Sequence, residues 1–398
     1  MTNTLQQEQP LQLQACIGFN GKCDNGLVLH PDNQHLLYPL GSVIVVRNVI
    51  KRQNTSLEGH DNEVSCITIS NNGKYIASGQ TTHLGFPADA IIWDFASRSI
   101  IHRLALHKTC VKDLSFSACN TYLSTLGGQD DNSLVVWDVE SGNSICGTPA
   151  HNETAHCVKF LNNTWQRLVT AGDGHMRVWT FDLKNKKLRP QDVKSGSTKR
   201  VVTNLTISPC DSKMYCGSLS GDLLECSIKD GNPNLVAKGP KSPFPAGVTC
   251  QAALPSGDII CGTGEGVLRK YMVDEQKFHP ETAGKVDGAV TSISVTQDGQ
   301  NFFCGTSDSC IYWGCAATLK TELRNTCHTT AINAVAFPKN YSKVFATVSS
   351  PDIRIWNAET RQEILRIQVK NLECHCIHFM DDGKSIISGW DDGKIRAF

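Results

Sequence analysis

One short pattern recurs along the whole chain and limits the folds open to it. A β-prone segment with an aromatic residue, or a substitute for one, near its C-terminal end appears in forms such as DAIIWDF, NSLVVWDV and DIRIWNA. In the nine copies of the segment, this aromatic position is occupied by Arg47, Trp93, Trp137, Trp179, Cys226, Tyr271, Trp313, Trp356 and Phe398. The intervals between them run from 42 to 47 residues. This period fits four-stranded propeller blades of about 40–45 residues better than the kelch period of about 50.

The sequence within one period also fits a blade. Residues 59–105 contain the runs VSCITIS, KYIASG, DAIIWDF and SIIHRLAL, with turn residues such as Gly, Asn and Asp between them. Short alternating runs between turn residues predict four strands. No window shows a sustained 3.6-residue apolar period, so we expect almost no helix. The chain is therefore predicted to be all-β, a WD40 β-propeller.

The nine units also predict a domain organisation. Seven blades commonly close a ring, so we expect a first propeller at 20–325 and the first blades of a second, truncated propeller at 326–398. The ninth unit stops at Phe398 before an outer strand, and the chain is expected to be incomplete at its C-terminus. The N-terminal segment 1–19 includes LQLQACIGF, a possible closing strand that would remove two exposed sheet edges.

A hydrogen-bond network is predicted inside several blades. Such blades often link a His before the first strand, a Ser or Thr in the second, an Asp in the next turn and the Trp. Unit 2 supplies His60, Ser78 and Trp93, with Asp89 as a displaced candidate for the acid. The remaining candidates are His107, Asp131 and Trp137 in unit 3, and Asp173 and Trp179 in unit 4. These histidines could instead be metal ligands or bases, but the structural interpretation is favoured.

Units 5 to 7 depart from this pattern together. They lack the His, and Cys216, Cys261 and Cys304 occupy the Ser position. Losing both polar partners at once is consistent with the cost of about 1–3 kcal/mol for a lone buried polar group.

Charge and cysteine content narrow the classes of function. The 38 Lys and Arg residues balance 38 Asp and Glu, so the chain lacks the basic surface that nucleic acid or an anionic membrane demands. The 18 cysteines include no C-x-x-C pair, and we expect reduced, buried thiols with no metal. In Cys374-His375-Cys376, the tightest cluster, a strand would point His375 away from the two thiols. No stretch approaches the roughly 20 apolar residues of a membrane helix.

Four segments go beyond a general WD40 pattern. They are IGFNG (17–21), HPDNQHLLYPLG (30–41), YIASGQTTHLGFPADAIIWD (75–94) and FMDDGKSIISGWDDGKIRAF (379–398). With an insertion at 81–87 inside one blade, they closely resemble the cilia- and flagella-associated WD-repeat family known as WD repeat-containing protein sixteen. The resemblance runs across essentially the whole chain. It implies two seven-bladed rings in a protein roughly half as long again.

The same resemblance implies a function. Members of that family are non-enzymatic proteins of motile cilia, lodged in axonemal doublet microtubules against tubulin and neighbouring inner proteins. The expected location is therefore the cytoplasm and cytoskeleton, in the axoneme of the cilium or flagellum. The alternative is a soluble WD40 adaptor in signalling or ubiquitin-ligase assembly, although no second recognition module is visible.

An enzyme is the third class that we weighed, and it is not favoured. No G-x-S-x-G, P-loop, H-E-x-x-H or Rossmann glycine pattern occurs. The glycine-rich GTGEG (262–266) falls in a turn between two predicted strands, with no helix to receive phosphate. We expect no catalytic residues, no cofactor and no small-molecule substrate.

Two segments are candidates for partner binding. The stretch 181–200 carries seven positive charges against two negative ones and includes Lys184, Lys186, Lys187 and Arg189. It could meet the acidic surface of tubulin, or it could be a hairpin edge protected by solvated lysines. The second candidate is the 81–87 insertion, where Leu84 and Phe86 would form an apolar docking site or fold back over their own blade.

Overall fold

The protein is built entirely from strands and turns. The structure, a computed structural model, describes residues 16–398 except 52, 230 and 275–276. The described residues contain no helix and form nine antiparallel sheets whose strands follow chain order. The predicted all-β propeller class is confirmed.

The first three sheets are units 1 to 3. Unit 1 comprises β1 (Val28–Leu29), β2 (His35–Leu40), β3 (Val43–Asn48) and β4 (Gln53–Glu58). Unit 2 comprises β5 (Val64–Ile69), β6 (Tyr75–Gln80), β7 (Pro87–Asp94) and β8 (Ile100–Lys108). Unit 3 comprises β9 (Val111–Phe116), β10 (Tyr122–Gly127), β11 (Ser133–Asp138) and β12 (Ser144–Pro149).

The next three sheets are units 4 to 6. Unit 4 comprises β13 (Ala155–Phe160), β14 (Arg167–Gly172), β15 (Met176–Asp182) and β16 (Lys187–Asp192). Unit 5 comprises β17 (Val202–Ile207), β18 (Lys213–Ser218), β19 (Leu223–Ser227) and β20 (Asn234–Gly239). Unit 6 comprises β21 (Val248–Ala253), β22 (Ile259–Thr263), β23 (Val267–Asp274) and β24 (Lys277–Lys285).

The last three sheets are units 7 to 9. Unit 7 comprises β25 (Val290–Val295), β26 (Asn301–Thr306), β27 (Cys310–Cys315) and β28 (Thr321–Thr326). Unit 8 comprises β29 (Ile332–Ala336), β30 (Val344–Ser349), β31 (Asp352–Asn357) and β32 (Glu363–Gln368). Unit 9 comprises β33 (Cys374–Phe379), β34 (Ile386–Trp390) and β35 (Ile395–Ala397).

The first seven sheets form a closed ring. The first strand of each unit is its inner strand. Each inner strand packs against the inner strand of the next unit, from β1 and β5 through to β21 and β25, and β25 packs against β1. At that seam the Leu29 N–H donates to Ser294 Oγ at 2.8 Å. Between units 3 and 4, the Phe160 N–H donates to Ser115 Oγ at 2.9 Å. The seam is therefore closed by the same kind of hydrogen bond that joins consecutive blades.

No strand is exchanged across this seam within the described residues, because each of their sheets consists of consecutive strands. The run LQLQACIGF, which was expected to supply a closing strand, lies mainly outside them. Its last residue, Phe19, is buried against Tyr38 of unit 1, with ring centroids 5.4 Å apart.

The core lies between neighbouring blades, because successive side chains of a strand point to opposite faces and consecutive residues of the middle strands, such as Ile91 and Ile92, are both apolar and buried. Trp93 of unit 2 packs against Leu37 and Ile44 of unit 1, and Trp179 of unit 4 packs against Val136 of unit 3. The shared third-strand position therefore points back toward the preceding blade.

Unit 7 breaks this register. The second residue of β6, Ile76, pairs with Trp93, whereas the second residue of β26, Phe302, pairs with Gly314. Trp313 therefore lies one residue before the shared position and points to the opposite face of its sheet. A Cβ atom at Gly314 would lie 2.4 Å from Phe302 Cζ, so the Phe302 ring fills the space at that position. Placing Trp313 at the shared position was wrong by one residue.

Three units meet beside this face of unit 7. One buried cluster contains Leu36 and Tyr38 of unit 1, Phe303 and Ile311 of unit 7, and Trp356 of unit 8. Unit 8 then packs against unit 9 through β29 and β33.

Candidate interaction surfaces

Unit 3 contains a continuous hydrogen-bond network. The Trp137 indole N–H donates to Thr125 Oγ1 at 2.9 Å, and Thr125 Oγ1 lies 2.6 Å from His107 Nε2. His107 Nδ1 lies 2.9 Å from Asp131 Oδ2. Burial raises the pKa of Asp131, but hydrogen bonds from His107 and Ser133 outweigh it and hold the pKa below its ordinary value. The network ties β8, the outer strand of unit 2, to β10, β11 and the turn between them in unit 3.

Unit 2 has a variant of the network that uses an amide. The Trp93 indole donates to Ser78 Oγ at 2.8 Å, Ser78 Oγ lies 2.6 Å from His60 Nε2, and His60 Nδ1 lies 2.9 Å from Gln80 Oε1. Burial lowers the pKa of His60, which favours its neutral ring. The expected acid, Asp89, is not part of this network.

Asp89 lies on the outer side of the same blade. Its Oδ2 atom is 3.2 Å from Arg103 Nη1 on β8, so Asp89 forms an ion pair with the outer strand.

Unit 4 keeps only part of the network. The Trp179 indole donates to Thr170 Oγ1 at 2.9 Å, but Asp173 Oδ1 lies 2.8 Å from His156 Nε2. Asp173 therefore belongs to a partly exposed hydrogen-bonded pair with His156 and is not joined to Trp179, contrary to expectation.

Unit 8 contains a complete network that the sequence analysis missed. The Trp356 indole donates to Thr347 Oγ1 at 2.6 Å, Thr347 Oγ1 lies 2.6 Å from His328 Nε2, and His328 Nδ1 lies 2.5 Å from Asp352 Oδ1. The signal was present: His328 stands four residues before its first strand, as His60 and His107 do.

The lysine-rich segment forms an exposed hairpin on the outer edge of unit 4. Lys184 and Lys186 lie in the turn between β15 and β16, and Lys187 begins β16. All three side chains are exposed, and no acidic partner lies within ion-pair distance among the described residues. Arg189 differs, because its Nη2 atom lies 2.9 Å from Asp182 Oδ2. We call Lys184, Lys186 and Lys187 the lysine hairpin.

The insertion in unit 2 forms an exposed apolar turn. The side chains of Leu84 and Phe86 are 76% and 64% exposed, so they do not fold back over their own blade. The backbone is held by Thr109, whose Oγ1 accepts from the Gly85 N–H at 2.9 Å and whose N–H donates to the Phe86 carbonyl at 2.8 Å. We call Leu84 and Phe86 the apolar turn.

A three-residue group among the described residues has metal-ligand chemistry. Potential ligand atoms of His30, Asp32 and His35 lie within 4.8 Å of one another. Protein groups already engage them: His30 Nε2 lies 2.8 Å from the Gly73 carbonyl, and His35 Nδ1 lies 2.6 Å from Asp32 Oδ2. These contacts engage potential ligand atoms of the group within the protein itself. In the part of the chain described, Cys374, His375 and Cys376 form no comparable three-ligand group.

Two further features bear on ligands and membranes. The GTGEG segment lies at the turn between β22 and β23, as expected, with no helix beside it in the described residues. No helix in the described residues is long and apolar enough to cross a membrane.

Comparisons with families and solved structures agree with this architecture. The first β-propeller of the echinoderm microtubule-associated protein family matches residues 57–314, and the WD domain, G-beta repeat, matches 318–357. A structure of U3-55K, 19% identical, aligns with a TM-score of 0.61 over 71% of this chain and 88% of that chain. At that identity the structural likeness supports the fold alone.

A closed ring of seven four-stranded blades with Trp–Ser/Thr–His networks defines a WD-repeat β-propeller protein. Cilia- and flagella-associated protein 52 of Chlamydomonas reinhardtii is 47% identical over 98% of this chain and 63% of its own length. The protein of the same name from Macaca fascicularis is 37% identical over 98% of this chain and 68% of its own length. The chain belongs to the cilia- and flagella-associated protein 52 family. It spans about 63% of the length of the Chlamydomonas relative.

Proposed function

We propose that this chain is part of a non-enzymatic scaffold of motile cilia and flagella. In this proposal it binds tubulin and neighbouring inner proteins in the axonemal doublet microtubules and supports beating. The observation that carries the proposal is the family membership, supported by similarity over 98% of the chain to relatives named for cilia and flagella. The match to a propeller of a microtubule-associated protein family supports the same type of partner.

The fold suits this role because its surfaces are held in fixed relative positions. The lysine hairpin lies on the outer edge of unit 4, and the apolar turn projects from unit 2, two blades away. Preformed surfaces lose little conformational entropy on binding. Weak contacts made together along a lattice gain from high effective concentration.

Charge supports the lysine hairpin as one contact. The chain has zero formal net charge, yet three exposed lysines without acidic partners lie within four residues of each other. Such a cluster would attract an acidic protein surface. We assign the apolar turn to a second contact because Leu84 and Phe86 expose neighbouring apolar side chains on a turn whose backbone is hydrogen-bonded to Thr109.

We also propose that units 8 and 9, residues 326–398, belong to a second ring. In unit 8, Ile332, Val335 and Phe337 are 53%, 57% and 56% exposed, whereas inner-strand apolar residues of the first ring are mostly buried. Limited proteolysis should cleave the 398-residue chain within 326–398 before it cleaves the first ring. Equal resistance of both parts would contradict this division.

The central experiment is fractionation of motile cilia that carry tagged full-length protein. The protein should remain with salt-washed doublets after detergent extraction. Replacing the lysine hairpin by three Glu residues should reduce retention. The matched control makes the same charge change at three exposed lysines of units 5 and 6, and it should leave retention unchanged. These lysines are Lys229, Lys241 and Lys285.

The alternative is a soluble adaptor in signalling or ubiquitin-ligase assembly. Release of the wild-type protein with the detergent-soluble matrix would support that alternative and contradict the scaffold proposal.

A further inference from the structure

We propose that the seam between units 7 and 1 is a binding groove for an extended segment of a partner protein that carries a carboxylate close to a bulky apolar side chain. We call this site the seam groove. It is separate from the lysine hairpin and the apolar turn, and it does not depend on the proposed ciliary role.

The seam groove is large enough for side chains of a peptide. It encloses about 570 Å³ between β3 of unit 1, unit 7 and the turn before β32 of unit 8. Small-ligand sites commonly have about 300–1,000 Å³. Its floor is apolar, with Leu36, Phe303 and Ile311 at 1%, 6% and 2% exposure. Leu323 on its wall is 47% exposed, so apolar area is available to a partner.

Two departures from the repeat meet in this groove. In unit 1 the shared third-strand position, which points back toward the preceding blade, holds Arg47 instead of an aromatic residue. In unit 7 the register shift turns Trp313 forward, toward unit 1. Both side chains line the groove.

Trp313 is unlike the residues at its equivalent positions. Units 2 and 3 place Ile92 and Val136 there, and both are fully buried. Trp313 is half-buried, and its indole N–H makes no hydrogen bond to the described residues, whereas Trp93 and Trp137 each donate to a hydroxyl. The groove therefore presents a large aromatic face and a free donor.

The charges of the groove favour an acidic ligand. Arg47 has no acidic partner among the described residues. The two carboxylates that line the groove already have guanidinium partners: Glu322 Oε2 lies 3.0 Å from Arg324 Nη2, and Glu363 Oε2 lies 2.6 Å from Arg354 Nη1. The uncompensated charge is positive, and an Arg fork binds a carboxylate through two parallel hydrogen bonds.

The edge of unit 7 favours an extended ligand. β28 is the outermost strand of its sheet and pairs only with β27 in the described residues, so one row of its backbone groups is free. Part of β28 lines the groove. A partner segment could add to such an edge by backbone hydrogen bonds while alternate side chains enter the groove.

The test uses fluorescein-labelled peptides and the 398-residue chain in fluorescence polarisation. The peptides are decamers of Gly and Ser that contain one Glu and one Leu or Phe, separated by zero, one or two residues. Matched peptides replace Glu by Gln or by Lys. At least one Glu peptide should bind, and its Gln counterpart should bind about tenfold more weakly, as expected for loss of a charge-assisted hydrogen bond.

Variants of the groove separate this proposal from non-specific binding. Arg47→Gln should weaken binding of the Glu peptide about tenfold, and Trp313→Val, which restores an aliphatic side chain, should do the same. Arg47→Glu should reverse the preference and bind the Lys peptide more tightly. Leu219→Ser, at an exposed leucine of unit 5, is the control and should leave the affinity unchanged. Circular dichroism confirms folding, and the two Arg47 variants carry the test if Trp313→Val does not fold.

The proposal is wrong if no Glu peptide binds with a dissociation constant below about 1 mM. It is also wrong if Glu and Gln peptides bind equally, or if folded groove variants keep the wild-type affinity. None of these results would bear on retention in ciliary doublets, so failure of this site and failure of the scaffold proposal can be distinguished.

Discussion

Arg354 is 1% exposed and donates from Nε to Asp352 Oδ2 at 3.0 Å, two residues earlier on β31. Its Nη1 atom also donates to the Thr326 hydroxyl of unit 7 and lies 2.6 Å from Glu363 Oε2. Burial raises the pKa of Asp352, but hydrogen bonds from His328 and Arg354 outweigh it and hold the pKa well below its ordinary value. A single buried guanidinium thus links β28 of unit 7 to unit 8.

Removing this guanidinium should loosen unit 8. Arg354→Met leaves two carboxylates short of a partner, and breaking a buried ion pair typically costs about 3–5 kcal/mol. We expect the free energy of opening of β30 and β31, measured by amide hydrogen exchange, to fall by about 3 kcal/mol. Lys343→Met is the matched control, because the Lys343–Glu359 pair is exposed at 3.8 Å and should contribute less than about 1 kcal/mol. Equal effects of the two changes would contradict a role for the buried network.

The blade networks predict that an Ala substitution at the same position of the second strand lowers stability more in unit 2 than in unit 5. Ser78→Ala leaves both the His60 ring nitrogen and the Trp93 indole without a partner, so the free energy of unfolding should fall by about 1–3 kcal/mol. Cys216→Ala changes the equivalent position of unit 5, where neither polar partner exists, and should cost only about 1 kcal/mol of apolar burial. Urea unfolding measures both variants. Equal midpoints would mean that the hydrogen bonds of unit 2 add nothing to its stability.

The repeat made the fold predictable, because a strand–turn pattern acts locally in every unit. The same periodicity located Trp93, Trp137 and Trp179 correctly. It failed at Trp313, because a shift of one residue depends on whether Phe302 fills the space at Gly314, which is a question of packing.

Polar partners were harder to predict than strands. Gln80 replaces the acid of unit 2, and His156 draws Asp173 away from the Trp179 network of unit 4, because side chains pair by distance in space. The exposure of the apolar turn was predicted as one of two possibilities, and the exposure of Leu84 and Phe86 in the folded chain decides between them. The seam groove could not have been predicted, since it combines residues about 270 positions apart, Arg47 and Trp313 among them.

Thiol reactivity should differ widely among the 18 cysteines. The exposed Cys210 lies 2.9 Å from the Ser212 hydroxyl and 3.5 Å from that of Ser208, and these hydrogen bonds lower its pKa to about 7. Burial raises the pKa of the Cys157 thiol. Because the thiolate is the nucleophile, iodoacetamide near neutral pH should modify Cys210 early and Cys157 only after unfolding. Mass spectrometry of the modified peptides follows both sites, and Ser212→Ala should slow Cys210 several-fold. An unchanged rate would rule out activation by that hydroxyl.

Acid should destabilise the first ring through the buried His175 of unit 4. His175 is 8% exposed and stacks on His151, with ring centroids 3.9 Å apart, and burial lowers its pKa to about 4. The unfolded chain has an ordinary His pKa of about 6.5, so it binds protons first as the pH falls. The contribution of His175 to the free energy of unfolding is therefore complete above about pH 6.5 and is lost progressively toward pH 4, by about 1–3 kcal/mol. Urea unfolding at several pH values should show this loss, and His175→Phe, which keeps an aromatic stack without a titrating group, should reduce it. His83→Phe, at an exposed histidine, is the control. If the free energy of unfolding falls equally at low pH in wild type and in His175→Phe, other groups cause the loss.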